Sequence, residues 1–185
     1  MLAFRDLPNV LTIARLLMVG PLVYLLLTGN HVVALALALI AGFSDWLDGA
    51  LARHFRWQSE FGGMLDPLAD KLLMTATYAA LTWLDHLPLW LLLLVIARDI
   101  VIVTGGVIYH YRIEPFRAEP TRLSKFNTVC QLLLMWAVLF GLAGAGVPGA
   151  VIEVLIWVVA TTVITTMLQY VILWSRRARR ILGGD

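Results

Sequence analysis

Six apolar segments follow one another along this chain, at about 10–28, 32–52, 66–84, 89–111, 123–143 and 147–174. Three of the five connections between them are too short for anything but a turn: Gly29-Asn30, His86-Leu87-Pro88 and residues 144–149. A helix needs about 20 apolar residues to cross the hydrocarbon of a bilayer, and the helix is the structure that satisfies its own backbone polar groups there. The expected fold is therefore all-α, a polytopic integral membrane protein with six transmembrane helices. With 61% of residues apolar and 14% charged, the chain departs from the soluble average of roughly 45–50% apolar and about a quarter charged, and it is too apolar for disorder. Its 185 residues leave no space for a separate soluble domain, so residues 1–185 read as one membrane domain. A cleaved leader is not expected, because Ala34-Leu35-Ala36 lies inside the second apolar segment. Cys130 is a lone cysteine in an apolar run and reads as a packing residue.

Orientation follows from the cations. Arg5 and Arg15 flank the start of the first segment, Arg53 and Arg56 fall in the second connection, and Arg112, Arg117 and Arg122 in the fourth. Arg176, Arg177, Arg179 and Arg180 form the tail, while Lys71 and Lys125 begin segments three and five on the same side. The three tight connections hold no Lys or Arg. Both termini and the two polar connections are thus expected on the cytoplasmic side, where the basic tail suits anionic headgroups. Trp83, Trp90, Tyr111 and Trp174 stand near segment ends, as in an aromatic belt, and the four histidines read as interfacial.

Segments two and three carry charges that a bilayer disfavours. Asp45 and Asp48 are three apart on one helix face, which Gly49 and Ala52 continue with almost no side chain; Asp66 and Asp70 are four apart on the next helix. Pro67 fits a first helical turn there. A connection that folds back would bring the four carboxylates together at the cytoplasmic interface. Salt bridges such as Asp48 with Arg53 and Asp70 with Lys71 would account for any one of them, but not for four at these spacings. Oxygen ligands without His or Cys favour a hard divalent cation, Mg²⁺, Mn²⁺ or Ca²⁺. Two such ions would balance four carboxylates and could clamp a phosphoryl group.

At these residues the chain resembles the CDP-alcohol phosphatidyltransferase family. The family signature is D-x-x-D-G-x-x-A-R, eight residues, then G-x-x-x-D-x-x-x-D, and Asp45, Asp48, Gly49, Ala52, Arg53, Gly62, Asp66 and Asp70 fill every fixed position. The resemblance implies that Asp45, Asp48 and Asp66 are ligands of a two-ion Mg²⁺ or Mn²⁺ site with Asp70 at its edge. It also implies that Asp70 is the catalytic base toward the acceptor hydroxyl. CDP-diacylglycerol would be bound by Asp45, Asp48, Gly49, Ala52, Arg53 and Gly62, with Arg53 on the diphosphate and Gly62 near the cytosine. The implied reaction is transfer of a phosphatidyl group from CDP-diacylglycerol to an alcohol, releasing CMP, at the cytoplasmic face of a bacterial inner membrane. Membrane lipids are expected partners, a homodimer is implied by the family, and no nucleic acid is expected.

Three patches bear on the acceptor. Pro8-Asn9-Val10-Leu11-Thr12-Ile13-Ala14-Arg15 resembles the first helix of the phosphatidylglycerophosphate synthase and cardiolipin synthase branch, although Asn9, Thr12 and Arg15 read equally as caps and anchors of that helix. Arg98-Asp99 places an ion pair within segment four. Ser124-Lys125-Phe126-Asn127-Thr128 stands where phosphatidylglycerophosphate synthases usually show two lysines, and resembles the CMP-forming cardiolipin synthases. Glycerol 3-phosphate carries a charge near −2 and favours two or more cations, whereas phosphatidylglycerol carries −1. A neutral Asn127 therefore favours phosphatidylglycerol as acceptor, with Lys125, Asn127, Arg98 and Arg122 as the acceptor-binding residues. Glycerol 3-phosphate is the alternative, because Arg112, Arg117 and Arg122 lie nearby. An ion or proton transporter is the remote alternative, but it would place charges at mid-membrane on several helices rather than at one side.

Overall fold

A computed structural model describes residues 7–55, 60–112 and 121–182, with side chains described over 12–44, 69–107 and 121–176. They form six helices and no strand among the described residues: α1 (Leu7–Leu27), α2 (His31–Phe55), α3 (Glu60–Trp83), α4 (Leu89–Arg112), α5 (Arg122–Leu142) and α6 (Gly149–Leu182). Among the residues whose side chains are described, three stretches, Leu89–Val107, Arg122–Leu142 and Gly149–Arg176, are long and apolar enough to cross a membrane, and Thr12–Leu27 of α1 and His31–Ser44 of α2 are apolar over shorter lengths.

The three tight connections end their helices in the same way. In each, a residue in the left-handed region donates its N–H back three residues, and the next residue donates back five. The first uses Gly29 (φ 77°), with Gly29 N–H to Leu26 O at 3.1 Å and Asn30 N–H to Leu25 O at 2.9 Å. The third uses Gly144 (φ 90°) in the same pattern onto Gly141 and Phe140. The second places Asp85 there (φ 58°), bonded to Thr82 O, with His86 N–H on Leu81 O. The Cβ of Asp85 makes this conformation costlier than for glycine.

Two helix limits differ from expectation. The third helix begins at Glu60, so Pro67 lies two turns inside it rather than in its first turn. Pro67 forfeits one bond, to the carbonyl of Gly63 four residues back. The sixth helix runs past Trp174 to Leu182. Arginine is a good helix former, and the basic tail contains no Pro or Gly before Gly183.

The described chain divides into two compact units, residues 1–87 with 138–147, and residues 88–137 with 148–185. In the first, α1 packs against both α2 and α3. Its buried side includes Leu22 and Leu26 of α1, Tyr78 and Leu81 of α3, and the small residues Ala34, Ala38 and Ala41 of α2. Small side chains at that spacing let helix backbones approach closely. Along α2 the same register continues to positions 45, 48 and 52. In the second unit α4 packs on α6. The two run parallel, since Trp90 meets Trp157 at one end (5.6 Å between ring centroids) and Gly105 meets Trp174 fifteen residues further along α4.

Candidate active site

The backbone of α2 is helical through Asp45, Asp48, Gly49, Ala52 and Arg53, and that of α3 through Gly62 and Asp66. This puts each acidic pair on one face of its helix, three and four residues apart. The side chains of these seven residues lie outside the described residues. Asp70 is the one member of the acidic set whose surroundings are described. Among the described residues no three His, Cys, Asp or Glu side chains cluster to hold a metal. The donor set itself is all carboxylate, which fits hard divalent cations and no soft metal.

Asp70 is reached by a residue that reads from the sequence either as part of the first-helix motif of the branch or as a cap or anchor. Arg15 of α1 donates from Nη1 to Asp70 Oδ1 at 2.7 Å, across 55 residues of sequence. The pair is asymmetric: Arg15 is 1% exposed and the Asp70 side chain 45%. Thr12, Arg15, Leu22 and Leu26 make one buried stripe along α1. The signal was available in the sequence as a cation on the core stripe of an otherwise apolar helix, where an ionisable residue calls for a named partner.

The residues expected to bind the acceptor fall into two groups. Arg122 and Lys125 are exposed on the first turn of α5. Arg98 is buried in α4, where Nη1 donates to Asp99 Oδ1 at 2.7 Å and Nη2 to Ser124 Oγ of α5 at 2.5 Å. The expected Arg98–Asp99 ion pair is thus formed. Asn127 is 0% exposed, and its amide lies 2.9 Å from Thr162 Oγ of α6. Thr162 has one proton and three acceptors within reach, Asn127 Oδ1, Val158 O and Val159 O, while Asn127 Nδ2 is buried without a partner among the described residues. Turning the amide over resolves both: Nδ2 then donates to Thr162 Oγ, which keeps its proton for Val158. In either orientation Asn127 ties α5 to α6 and does not share the exposed face of Lys125.

The start of α5 is fastened from two sides. Thr121 caps the helix by accepting the Ser124 N–H at 3.1 Å. It also donates its hydroxyl to Gln169 Oε1 at 3.1 Å and its N–H to the Tyr170 hydroxyl at 3.2 Å. The Tyr170 ring packs on Trp174, and Trp174 fills a notch in α4 that only glycine at 105 leaves open. From Arg98 through Ser124, Thr121, Tyr170 and Trp174 to Gly105, the contacts close a ring from α4 through α5 and α6 back to α4. Trp174, which reads from the sequence as part of an aromatic belt, packs here against Gly105 of α4.

The chain has relatives among known proteins. It is 36% identical over 146 residues to cardiolipin synthase (CMP-forming) of Rattus norvegicus, covering 70% of this chain and 48% of the relative. The chain thus spans about half the length of that animal relative. Two bacterial relatives match over most of their length. Cardiolipin synthase (CMP-forming) of Streptomyces coelicolor is 31% identical over 185 residues, 96% of this chain and 85% of the relative. The CDP-diacylglycerol–glycerol-3-phosphate 3-phosphatidyltransferase of Rickettsia typhi is 31% identical over 172 residues, 90% and 95%. Both branches weighed from the sequence are represented among these names. The CDP-alcohol phosphatidyltransferase family model matches residues 5–177, from before α1 into the basic end of α6, and the chain belongs to that family.

Proposed function

We propose that this chain transfers the phosphatidyl group of CDP-diacylglycerol to phosphatidylglycerol, forming cardiolipin and releasing CMP. The observation that carries phosphatidyl transfer is the complete signature on the helical backbones of α2 and α3, ending in an Asp70 whose carboxylate is held by Arg15 yet substantially exposed; the choice of phosphatidylglycerol rests on the resemblance of Ser124-Lys125-Phe126-Asn127-Thr128 to the CMP-forming cardiolipin synthases. The chain works as one membrane domain over 1–185 with six spans and both termini cytoplasmic, in a bacterial inner membrane and as a homodimer. The 21 residues of α1 reach about 31 Å at 1.5 Å per residue, enough to cross the hydrocarbon. The placement of Lys and Arg supports the orientation.

In this reading Arg53 forks onto the diphosphate, Gly49 and Ala52 let the nucleotide lie against α2, and Gly62 approaches the cytosine. Asp45, Asp48 and Asp66, with Asp70 at the edge, would hold two Mg²⁺ or Mn²⁺ ions. Bound there, divalent ions supply charge stabilisation for the phosphoryl group and the leaving CMP. Asp70 accepts the proton of the acceptor hydroxyl. Arg122 and Lys125 offer the acceptor phosphate two exposed cations, and Arg98 and Asn127 hold the start of α5 that presents them. Those two cations also favour a second reading, glycerol 3-phosphate as acceptor.

The test is product analysis with purified chain, CDP-diacylglycerol and Mg²⁺ or Mn²⁺, with phosphatidylglycerol and glycerol 3-phosphate offered in parallel. Cardiolipin from phosphatidylglycerol, with stoichiometric CMP, is the expected result. Phosphatidylglycerophosphate alone would move the acceptor assignment to the second reading. No CMP release with either alcohol would overturn the transferase reading.

A further inference from the structure

The geometry points to Arg15 as the residue that positions Asp70 for proton transfer, an inference that rests on the phosphatidyl-transfer reading above. An arginine serving only to anchor α1 would lay its stem along apolar surface and keep its head in water. Arg15 does the reverse. Its side chain is 1% exposed, on the stripe that carries Thr12, Leu22 and Leu26, and its guanidinium meets Asp70 at 2.7 Å while the carboxylate keeps 45% of its surface open. If packing were the whole requirement, a leucine or methionine would fill the stripe without the cost of burying a cation, since apolar replacements of buried ion pairs are often neutral or stabilising. The fixed partner is the hidden cation and the presented partner is the carboxylate.

In the reaction, the O–H bond of the acceptor breaks and its proton passes to the Asp70 carboxylate. The acceptor oxygen forms a bond to the phosphatidyl phosphorus. The bond from that phosphorus to CMP breaks, and its electron pair leaves on CMP. Arg15 forms and breaks no bond in this sequence of events. Its part is to fix the direction from which the carboxylate meets the hydroxyl, and a misplacement of about 1 Å at such a step can cost a hundredfold in rate. Arg15 is thus a positioning residue, acting through Asp70.

The experiment compares wild type with Arg15→Met and Arg15→Lys in the full chain. It measures kcat, the KM for CDP-diacylglycerol, equilibrium binding of CDP-diacylglycerol without acceptor, and the thermal midpoint. Arg15→Met keeps the volume of the stripe and removes the charge. It is expected to keep its thermal midpoint and nucleotide affinity while kcat falls about a hundredfold. Arg15→Lys restores the charge and should recover at least a third of that loss on a logarithmic scale. A kcat within threefold of wild type in Arg15→Met overturns the inference and leaves the phosphatidyl-transfer reading intact. So does a loss of kcat matched by loss of folded protein that Arg15→Lys does not relieve. A wild type that releases no CMP overturns both.

Discussion

The α1–α3 pair and the α4–α6 group each bury polar side chains, and they do so for different ends. Between α1 and α3 the described residues show a long-range ion pair, with a buried cation and a carboxylate side chain that is 45% exposed. Among α4, α5 and α6 the polar groups are many and mostly neutral: Ser124, Asn127, Thr121, Gln169, Tyr170 and Thr162, with Arg98 as the one cation of that ring. A neutral network ties helices together and fixes where the start of α5 stands, because each missing partner would leave a costly buried group. An ion pair with an exposed acid leaves chemistry available. On the proposed function, the first region reacts and the second holds.

Substitutions can break this contrast if it is wrong. The largest effect is expected from the acidic signature: Asp48→Asn or Asp66→Asn should lower the CMP-release rate about a thousandfold or more, with a thermal midpoint near wild type. A comparable fall in both stability and rate would make those carboxylates structural like the α4–α6 group. In that group Gly105→Ala would drive a methyl into the Trp174 ring. It should cost about 1–3 kcal/mol, read as a lower thermal midpoint and partly relieved by Trp174→Ala in the same chain. Thr121→Ala removes the cap of α5 and the bond to Gln169, for about 1 kcal/mol, and should raise the KM for the acceptor alcohol while sparing that for CDP-diacylglycerol. The smallest effect sits at the turn that joins α3 to α4. Asp85→Gly relieves a left-handed residue at φ 58° and should stabilise by about 0.5–1 kcal/mol without touching kinetics.

Helix number and the three tight turns were legible because apolar runs and turn residues record them directly. Helix ends were less so, since hydropathy marks where lipid would stop rather than where hydrogen bonding does. The arginines after Trp174 end the apolar run yet prolong α6 to Leu182. Pro67, read as a helix start, lies inside α3. The acidic motif was legible as a family signature, while the surroundings of Asp45, Asp48 and Asp66 lie outside the described residues. Arg15 was hidden in plain view: its partner lies 55 residues away, and no local pattern reveals a pairing between helices. Asn127 was noticed for the charge it lacks, whereas its buried amide and its bond to Thr162 depend on how α5 meets α6.

The most direct test of the account compares wild type with Asp70→Asn for CMP release from CDP-diacylglycerol, with phosphatidylglycerol and a divalent cation present. The account predicts acceptor-dependent CMP release by wild type and a loss of about 10²–10⁴-fold in Asp70→Asn, with CDP-diacylglycerol still bound. Wild-type release by Asp70→Asn, or none by the wild type, would contradict it.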